Sequence, residues 1–399
     1  MNANIKDLFQ IASKPERKII GLMSGTSLDG LDIALCFFQG SGLATQVKIL
    51  EYCTIPYTSE FRARIKDIFS RRDADLLEVC LLNEMIGIRH AEMILSALET
   101  WKINKSEVDL IASHGQTIFH APKILHQLAG YPNGTLQIGD GDHIAVGTGI
   151  ITLSDFRQKH IAAGGEGAPL AVYGDYLIFS KEGENRVMLN IGGIANFTFL
   201  PGDRDASKVF STDVGPGNTL MDQYIQLISL GKYFDENAEL ALKGTVHEQL
   251  VQALLDHPFF SLEFPKTTGP ELFNLNYLNQ RLLKAGNPQL SHADIMATLC
   301  HFSARAIIEA IKKCFIRAQD LTIYMSGGGM YNPLLTRLIK RDLPGASFAT
   351  TYDLGINPGA KEALLFALLA NEAVAGQPID FGKRKGVPSV FMGKISMPG

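Results

Sequence analysis

The sequence is poor in cysteine, has a single tryptophan and carries no excess of positive charge. Its five cysteines (Cys36, Cys53, Cys80, Cys300 and Cys314) lie far apart, with no Cys-x-x-Cys pair. That spacing excludes a zinc-site or disulfide framework and suits a reducing, cytoplasmic setting. The formal net charge is -4 and no long basic run occurs, which argues against a nucleic-acid surface and against a polybasic membrane patch. No apolar run reaches the length of a membrane span. The opening residues, MNANIKDLFQIASKPERK, lack the apolar core of a secretion signal and read as a short polar leader or helix. What the chain does have is ordinary apolar content over 399 residues, enough for a large core and long enough that two domains are the natural expectation.

Residues 19–35, IIGLMSGTSLDGLDIAL, read as strand, turn, strand. Ile19, Ile20, Leu22 and Met23 form the first apolar run, and Ile33, Ala34 and Leu35 begin a second that continues through Phe38. The turn between them, Ser24-Gly25-Thr26-Ser27-Leu28-Asp29-Gly30, is longer than a tight hairpin needs. Small residues let backbone N–H groups approach an anion, and hydroxyls add donors. An acid can hold a phosphate-bound Mg²⁺ directly or through water. Two readings fit: a cradle for nucleotide phosphates, or a long hairpin whose turn is merely polar. It is not a Walker A loop, because no Gly-Lys-Ser/Thr follows.

Further along, residues 47–54 read as a third strand and residues 76–101 as a long helix, with Leu77, Leu81, Met85, Ile88, Ile94, Leu95 and Leu98 facing a core. A short strand at 109–113 runs into Ser113-His114-Gly115-Gln116-Thr117, and a polar cluster at the C-terminal end of a strand is where ligands bind in α/β sheets. His114 reads equally as a histidine that satisfies turn backbone. A strand at 150–153 ends on Asp155-Phe156-Arg157, followed by Ala162-Ala163-Gly164-Gly165-Glu166-Gly167-Ala168-Pro169-Leu170. Glycines before a proline at a first helical position suggest a close approach to a helix N-terminus over 169–179, or a hinge.

The second half opens with VMLNIGGIANFTFLP, whose apolar run, Gly192-Gly193 turn and second run echo the first hairpin. This echo predicts a duplicated α/β domain with a cleft between the copies. Asp213 precedes the stiff Gly215-Pro216-Gly217-Asn218 turn. It reads either as a fixed general base or as an aspartate that bonds turn backbone. Phe264-Pro265-Lys266-Thr267-Thr268-Gly269 is a loop with one cation and two hydroxyls. Residues 294–317 read as an amphipathic helix with Asp294 at its positive end. A strand at 321–325 enters Ser326-Gly327-Gly328-Gly329 and a helix, a geometry suited to nucleotide approach. Glu362 falls in the first turns of a helix over 358–372, and the tail beyond Gly376 reads as a surface segment returning to the first domain.

Taken together, GLMSGTSLDGLD, SHGQT, QIGDGD, SDFR, AAGGEGAPL, NIGGIAN, DVGPGN, PKTTG, SGGG and the Glu362 helix resemble the anhydro-N-acetylmuramic acid kinase family. The motifs cover nearly the whole chain. The resemblance implies a two-domain actin/hexokinase/Hsp70-like ATPase fold, α/β, built from duplicated RNase H-like domains with the active site in the inter-domain cleft. The implied domains are residues 1–161 with 371–399, and residues 162–370. It further implies an ATP- and Mg²⁺-dependent cytoplasmic kinase acting on 1,6-anhydro-N-acetylmuramic acid, acting as a homodimer. By the same matching, Asp213 is the catalytic base. Ser24, Gly25, Thr26, Ser27, Asp29 and Gly30 face the ATP phosphates, with Asp29 as the Mg²⁺ ligand. Gly192 and Gly193 form a second phosphate turn, and Gly327, Gly328 and Gly329 flank the adenosine. His114, Asp155, Arg157 and Glu362 line the sugar site. The chain departs from the family pattern at His160, where an aspartate is usual, and at Pro270, where an arginine is usual. Both are expected in loops that touch sugar or close the cleft, so a different amino sugar or anhydrosugar is the alternative substrate.

Overall fold

A computed structural model of the protein describes residues 2–25, 28–315, 320–382 and 386–399. The chain forms two compact units, Met1–Phe179 with Gly355–Gly399, and Ser180–Leu354. In the first unit the strands are β1 (Glu16–Ser24), β2 (Gly30–Gln39), β3 (Gln46–Pro56), β4 (Leu110–Ala121), β5 (Gly134–Ile138) and β6 (Thr152–Ser154). They line up as β3-β2-β1-β4-β6, with β5 paired to the far end of β4 and the tail strand Lys394–Ser396 beyond β6. β2 runs antiparallel to β1, while β1, β4 and β6 are parallel. The near-continuous apolar runs of β1 and β2 follow from this placement, because a central strand covered on both faces has no polar side.

The helix Lys361–Ala375 packs against β1, and Gly21 makes that approach possible: a Cβ there would lie 1.9 Å from the Ala363 carbonyl oxygen. Arg17 fastens the same strand and helix. Its buried guanidinium donates to Asn371 Oδ1 (2.7 Å) and to the Gly40 carbonyl (2.9 Å). The helix at Leu76–Trp101 has the bounds its sequence predicts, and Ile94 and Leu98 are inward as expected, but the rest of the inward face differs. Leu82, Ile86, His90, Ala91, Ile94, Ala97 and Leu98 are buried, whereas Leu77, Leu81, Ile88 and Leu95 are exposed. The apolar residues form a stripe broader than one face, so periodicity alone does not select which part of it turns inward. The selection is made by the helix Gly141–Thr148, which comes so close that a Cβ on Gly87 would sit 2.7 Å from the Asp140 carbonyl oxygen.

The second unit has β7 (Asn185–Ile191), β8 (Ile194–Leu200), β9 (Phe210–Pro216), β10 (Leu321–Ser326) and β11 (Ser347–Thr350), in the order β9-β8-β7-β10-β11. Again the second strand of the hairpin is antiparallel and the remaining three strands of β7, β10 and β11 are parallel. Order and sense therefore repeat those of the first unit, which is the duplicated arrangement expected of an actin-like ATPase. The long helix of this unit, His292–Cys314, starts on a capping box in which Ser291 and Asp294 satisfy one another's backbone N–H groups. Arg317, expected to end it, lies outside the described residues.

Residues 162–179 and 355–370, expected with the second domain, fall in the first unit. The reason is packing: the helix Ala171–Phe179 meets the helix Lys361–Ala375, where Asp175 pairs with Lys361 Nζ at 2.8 Å and Gly174 receives Leu365. Among the described residues no helix is long and apolar enough to cross a membrane.

Candidate active site

In the first unit the hairpin turn is held from below. Ser24, at the end of β1, is buried, and its Oγ lies 2.5 Å from Gln116 Oε1 and 2.8 Å from Tyr57 Oη. Its hydroxyl is thus engaged inside the unit, not turned outward as the phosphate reading expects. Gln116 Nε2 donates to the Gly25 carbonyl at 3.3 Å, which also accepts from the Leu28 N–H at 3.3 Å. Leu28 adopts a left-handed φ of 56° and buries its side chain, leaving Asp29 exposed at the turn. Gly30 has a packing reason of its own, since a Cβ would stand 2.4 Å from the Ile55 carbonyl oxygen on β3. Thr26 and Ser27 lie outside the described residues.

The SHGQT motif is part of β4, not a loop after it. At Gly115 (φ 73°) the strand leaves β6 and turns to β5. His114 is buried there, 4.7 Å from the Phe366 ring, centre to centre. Its Nδ1–H donates to the Gly115 carbonyl (2.9 Å) and its Nε2 accepts from Arg157 Nε–H (2.8 Å), an assignment that follows from the arginine having only donors. Burial, then the Arg157 charge, hold the imidazole well below its ordinary value. His114 is accordingly neutral and serves as a support for Arg157. Arg157 also donates Nη1–H to the Gly167 carbonyl at 2.7 Å, linking the DFR segment to the glycine-rich loop. Its guanidinium is pushed down to about 10 by burial, partly offset by Glu362, and is still cationic near neutrality. Glu362 keeps an exposed edge, yet loss of hydration on its other sides raises its carboxyl against the pull of Arg157. Asp155, in the left-handed region, pairs with Lys394. With His114, Gly115, Asp140, Asp142 and Lys394 it lines a recess of about 340 Å³, within the size range of small-molecule sites.

His160 is turned away from any open surface. It is buried, its Nδ1 accepts the Gly167 N–H at 3.0 Å, and Gly165 is so close that a Cβ would lie 2.2 Å from the ring. Its expected contact with sugar is replaced by a structural one, the shaping of the AAGGEGAPL loop.

In the second unit three motifs meet around the turn that follows β7. The Gly217 and Asn218 N–H groups donate to the Gly193 and Gly192 carbonyls, both at 2.8 Å, and the Thr219 N–H reaches Gly193 at 3.0 Å. Gly217 cannot carry a side chain, as a Cβ would stand 2.3 Å from the Gly192 carbonyl oxygen. Gly327 (φ 81°) and Gly329 close over Ile191, at 2.7 Å from its carbonyl oxygen and 2.3 Å from its Cγ2 for a notional Cβ, while Gly328 is open by comparison.

Asp213 stands on β9 just before this assembly. Its Oδ2 accepts the Thr268 N–H at 2.9 Å, and its own N–H donates to the Lys266 carbonyl at 2.9 Å. Burial, aided by the nearby charge of Glu271, pushes the carboxyl up to about 6 despite the Thr268 bond. The reading of Asp213 as an aspartate that bonds backbone is seen directly in the Thr268 bond, and the raised value is of the kind that suits a base working near neutrality. Lys266, the one cation of this loop, is turned inward. Its ammonium is buried, donates to the Phe259 carbonyl (2.9 Å) and sits over the Phe259 ring at 4.3 Å, with its value pushed down to about 8 by burial. Its backbone is what matters to Asp213.

Sequence reading overlooked Tyr57, His90, Gln116 and Thr268 as individual residues. Gln116 and Thr268 lie inside motifs already singled out, whereas Tyr57 and His90 have no local signal, being buried through contacts with distant residues.

Residues 17–396 match the family model described as anhydro-N-acetylmuramic acid kinase. The curated anhydro-N-acetylmuramic acid kinase of Pseudoalteromonas atlantica (strain T6c / ATCC BAA-1087) is 52% identical over 100% of both chains. That of Pseudoalteromonas translucida (strain TAC 125) is 50% identical over 99% of each. Among solved structures, the activator of the 2-hydroxyisocaproyl-CoA dehydratase from Clostridium difficile with bound ADPNP is similar at a TM-score of 0.42 and 11% identity, covering 90% of this chain and 95% of that one.

Proposed function

The chain belongs to the anhydro-N-acetylmuramic acid kinase family, and from that premise we infer its reaction. It uses ATP and water to convert 1,6-anhydro-N-acetylmuramic acid to N-acetylmuramic acid 6-phosphate and ADP, a step of peptidoglycan recycling and amino-sugar catabolism. The observation that carries the reading is Asp213, a carboxyl with one oxygen tied to the Thr268 N–H and an ordinary value raised to about 6.

The chemistry explains why a base is needed. In the anhydro sugar the 6-oxygen is bridged to C1, so there is no 6-hydroxyl to deprotonate. Asp213 takes a proton from water as the water oxygen bonds to C1. The C1–O6 bond breaks, O6 gains the electron pair and attacks the γ-phosphorus, and the bond to the ADP oxygen breaks. Arg157, supported by His114, and Glu362 orient the sugar beside the recess that Asp155 lines. The Ser24–Gly30 turn, the Gly192-Gly193 turn and the Gly327-Gly328-Gly329 turn receive the nucleotide. Asp29, a carboxylate exposed at the turn, would be the residue that holds a nucleotide-bound Mg²⁺. Such an ion supplies neutralising charge to the phosphates.

Run in ¹⁸O-water and stopped before the new hemiacetal exchanges with solvent, the reaction should leave label on C1 and none in the phosphate. Label in the phosphate, or unlabelled C1 at early times, rules the coupled route out. ADP release across a panel of amino sugars and anhydrosugars separates this substrate from the alternatives. A 6-hydroxyl sugar turned over equally well would point to an ordinary kinase.

The value of Asp213 also sets a pH dependence. The base must be the carboxylate, so activity is retained above about pH 6 and lost as pH falls through it. Below that point kcat/KM should drop about tenfold per pH unit. A profile flat from pH 8 to pH 5 would remove Asp213 from the proton transfer.

A further inference from the structure

We propose that Tyr57, His90 and Gln116 are positioning residues for nucleotide binding, forming with Ser24 a one-directional hydrogen-bond chain that turns the Gly25 carbonyl into the protein. The inference rests on the reading of the Ser24–Gly30 turn as the phosphate site. It concerns side chains that lie beneath the turn.

The direction of every proton in the chain follows from its last member. The Gly25 carbonyl can only accept, so Gln116 must present its amide N–H₂ there, at 3.3 Å. The same Nε2 also lies 3.2 Å from the Thr117 carbonyl, a second acceptor that requires the same amide orientation. Gln116 Oε1 therefore faces Ser24, and Ser24 must donate to it across 2.5 Å. With its single proton so engaged, Ser24 accepts from Tyr57 across 2.8 Å. Tyr57, having donated, accepts from His90 Nε2 across 2.8 Å, which makes His90 the Nε2–H tautomer.

Two features keep the chain in that state. His90 and Ser24 are buried and Tyr57 is nearly so, which removes water as a competing partner. His90 Nδ1 has no partner among the described residues, so a second proton would create a buried charge with nothing to stabilise it. Burial correspondingly pushes His90 down to about 3. The chain thus keeps one polarity near neutrality.

The consequence for ligand binding is electrostatic. A carbonyl oxygen carries the negative end of the peptide dipole, and at an anion site it must point away from the anion. The Gly25 carbonyl is drawn inward by the buried Gln116 Nε2–H, and it also accepts the Leu28 N–H within the turn. The donor end of this chain, His90, is on the helix Leu76–Trp101, so that helix sets the turn through side chains rather than by contact with ligand.

Gln116→Glu keeps the shape but replaces the donor with an oxygen facing the Gly25 carbonyl. It should weaken binding of a non-hydrolysable ATP analogue, read by calorimetry, about tenfold or more. Tyr57→Phe removes one link and should weaken it about three- to tenfold. KM for the sugar should stay within about twofold in both, a split that general loosening of the fold does not produce. If Gln116→Glu does not fold, Gln116→Met removes the same donor at similar volume and should weaken the analogue in the same way. Unchanged analogue affinity in the folded variants, or sugar KM rising in step with it, overturns the inference. Because calorimetry needs no turnover, it reads this chain separately from the reaction. Absence of ADP release by the unmodified enzyme with the anhydrosugar would strike the proposed reaction instead.

Discussion

Asp213→Asn should lower kcat by about 10²- to 10⁴-fold, the usual cost of losing a general base. Asparagine keeps the shape of the side chain, and its carbonyl oxygen can still accept the Thr268 N–H now 2.9 Å from Oδ2. What it cannot do is take a proton from water. Affinity for nucleotide should barely change, since Asp213 is assigned no contact with phosphate. Stability gives an internal check with a definite sign. Burial raises the folded value to about 6 from an ordinary 3.8, so the charged carboxylate is disfavoured in the native state. Above pH 6 that cost is fully present, and removing the charge should leave the melting temperature unchanged or higher. A folded Asp213→Asn enzyme with near-normal turnover would end the assignment, and a large loss of stability near neutrality would show that the carboxylate has a structural partner.

Gly217→Ala should reduce kcat by about 10²-fold, although residue 217 carries no reactive group. Its added Cβ would lie 2.3 Å from the Gly192 carbonyl oxygen, a backbone atom that no side-chain rotation can move away. The turn must shift, and with it go the 2.8 Å bonds from Gly217 to Gly193 and from Asn218 to Gly192. Overpacking of this kind costs about 1–3 kcal/mol. The larger effect falls on catalysis, because β9 carries Asp213 into this turn and a displacement near 1 Å costs about 10²-fold in rate. Turnover measured well below the melting temperature separates the two effects. A folded variant with full kcat would mean that the turn does not position the base.

Local geometry was legible where a few adjacent residues set it. The strand-turn-strand pattern of both halves appears where the sequence places it, the turn after Asp213 is at Gly217-Asn218 with Gly215-Pro216 still in β9, and the helix read from Asp294 starts two residues earlier at His292. Each depends on backbone preferences and hydrogen bonds within a few residues. Repetition of the hairpin was enough to expect a duplicated domain, and the strand orders β3-β2-β1-β4-β6 and β9-β8-β7-β10-β11 repeat one another.

Residues whose surroundings come from afar were another matter. The hydroxyl of Ser24 reads as a phosphate ligand until Gln116, Tyr57 and, behind Tyr57, His90 are brought beneath it. Lys266 reads only as the cation of its loop until three phenylalanine rings and the Phe259 carbonyl enclose it. His160 reads as a sugar contact until the Gly165–Gly167 backbone folds over it. The buried face of Leu76–Trp101 is chosen by the helix at Gly141–Thr148, and the helix bearing Glu362 joins the first unit because Gly21 on β1 leaves room for it. The amino-acid order by itself determined the turns, the repeat and the family, since each is written in neighbouring residues. Tertiary structure alone decided which polar side chains face inward, because a buried donor or charge takes its meaning from partners that only the folded chain supplies.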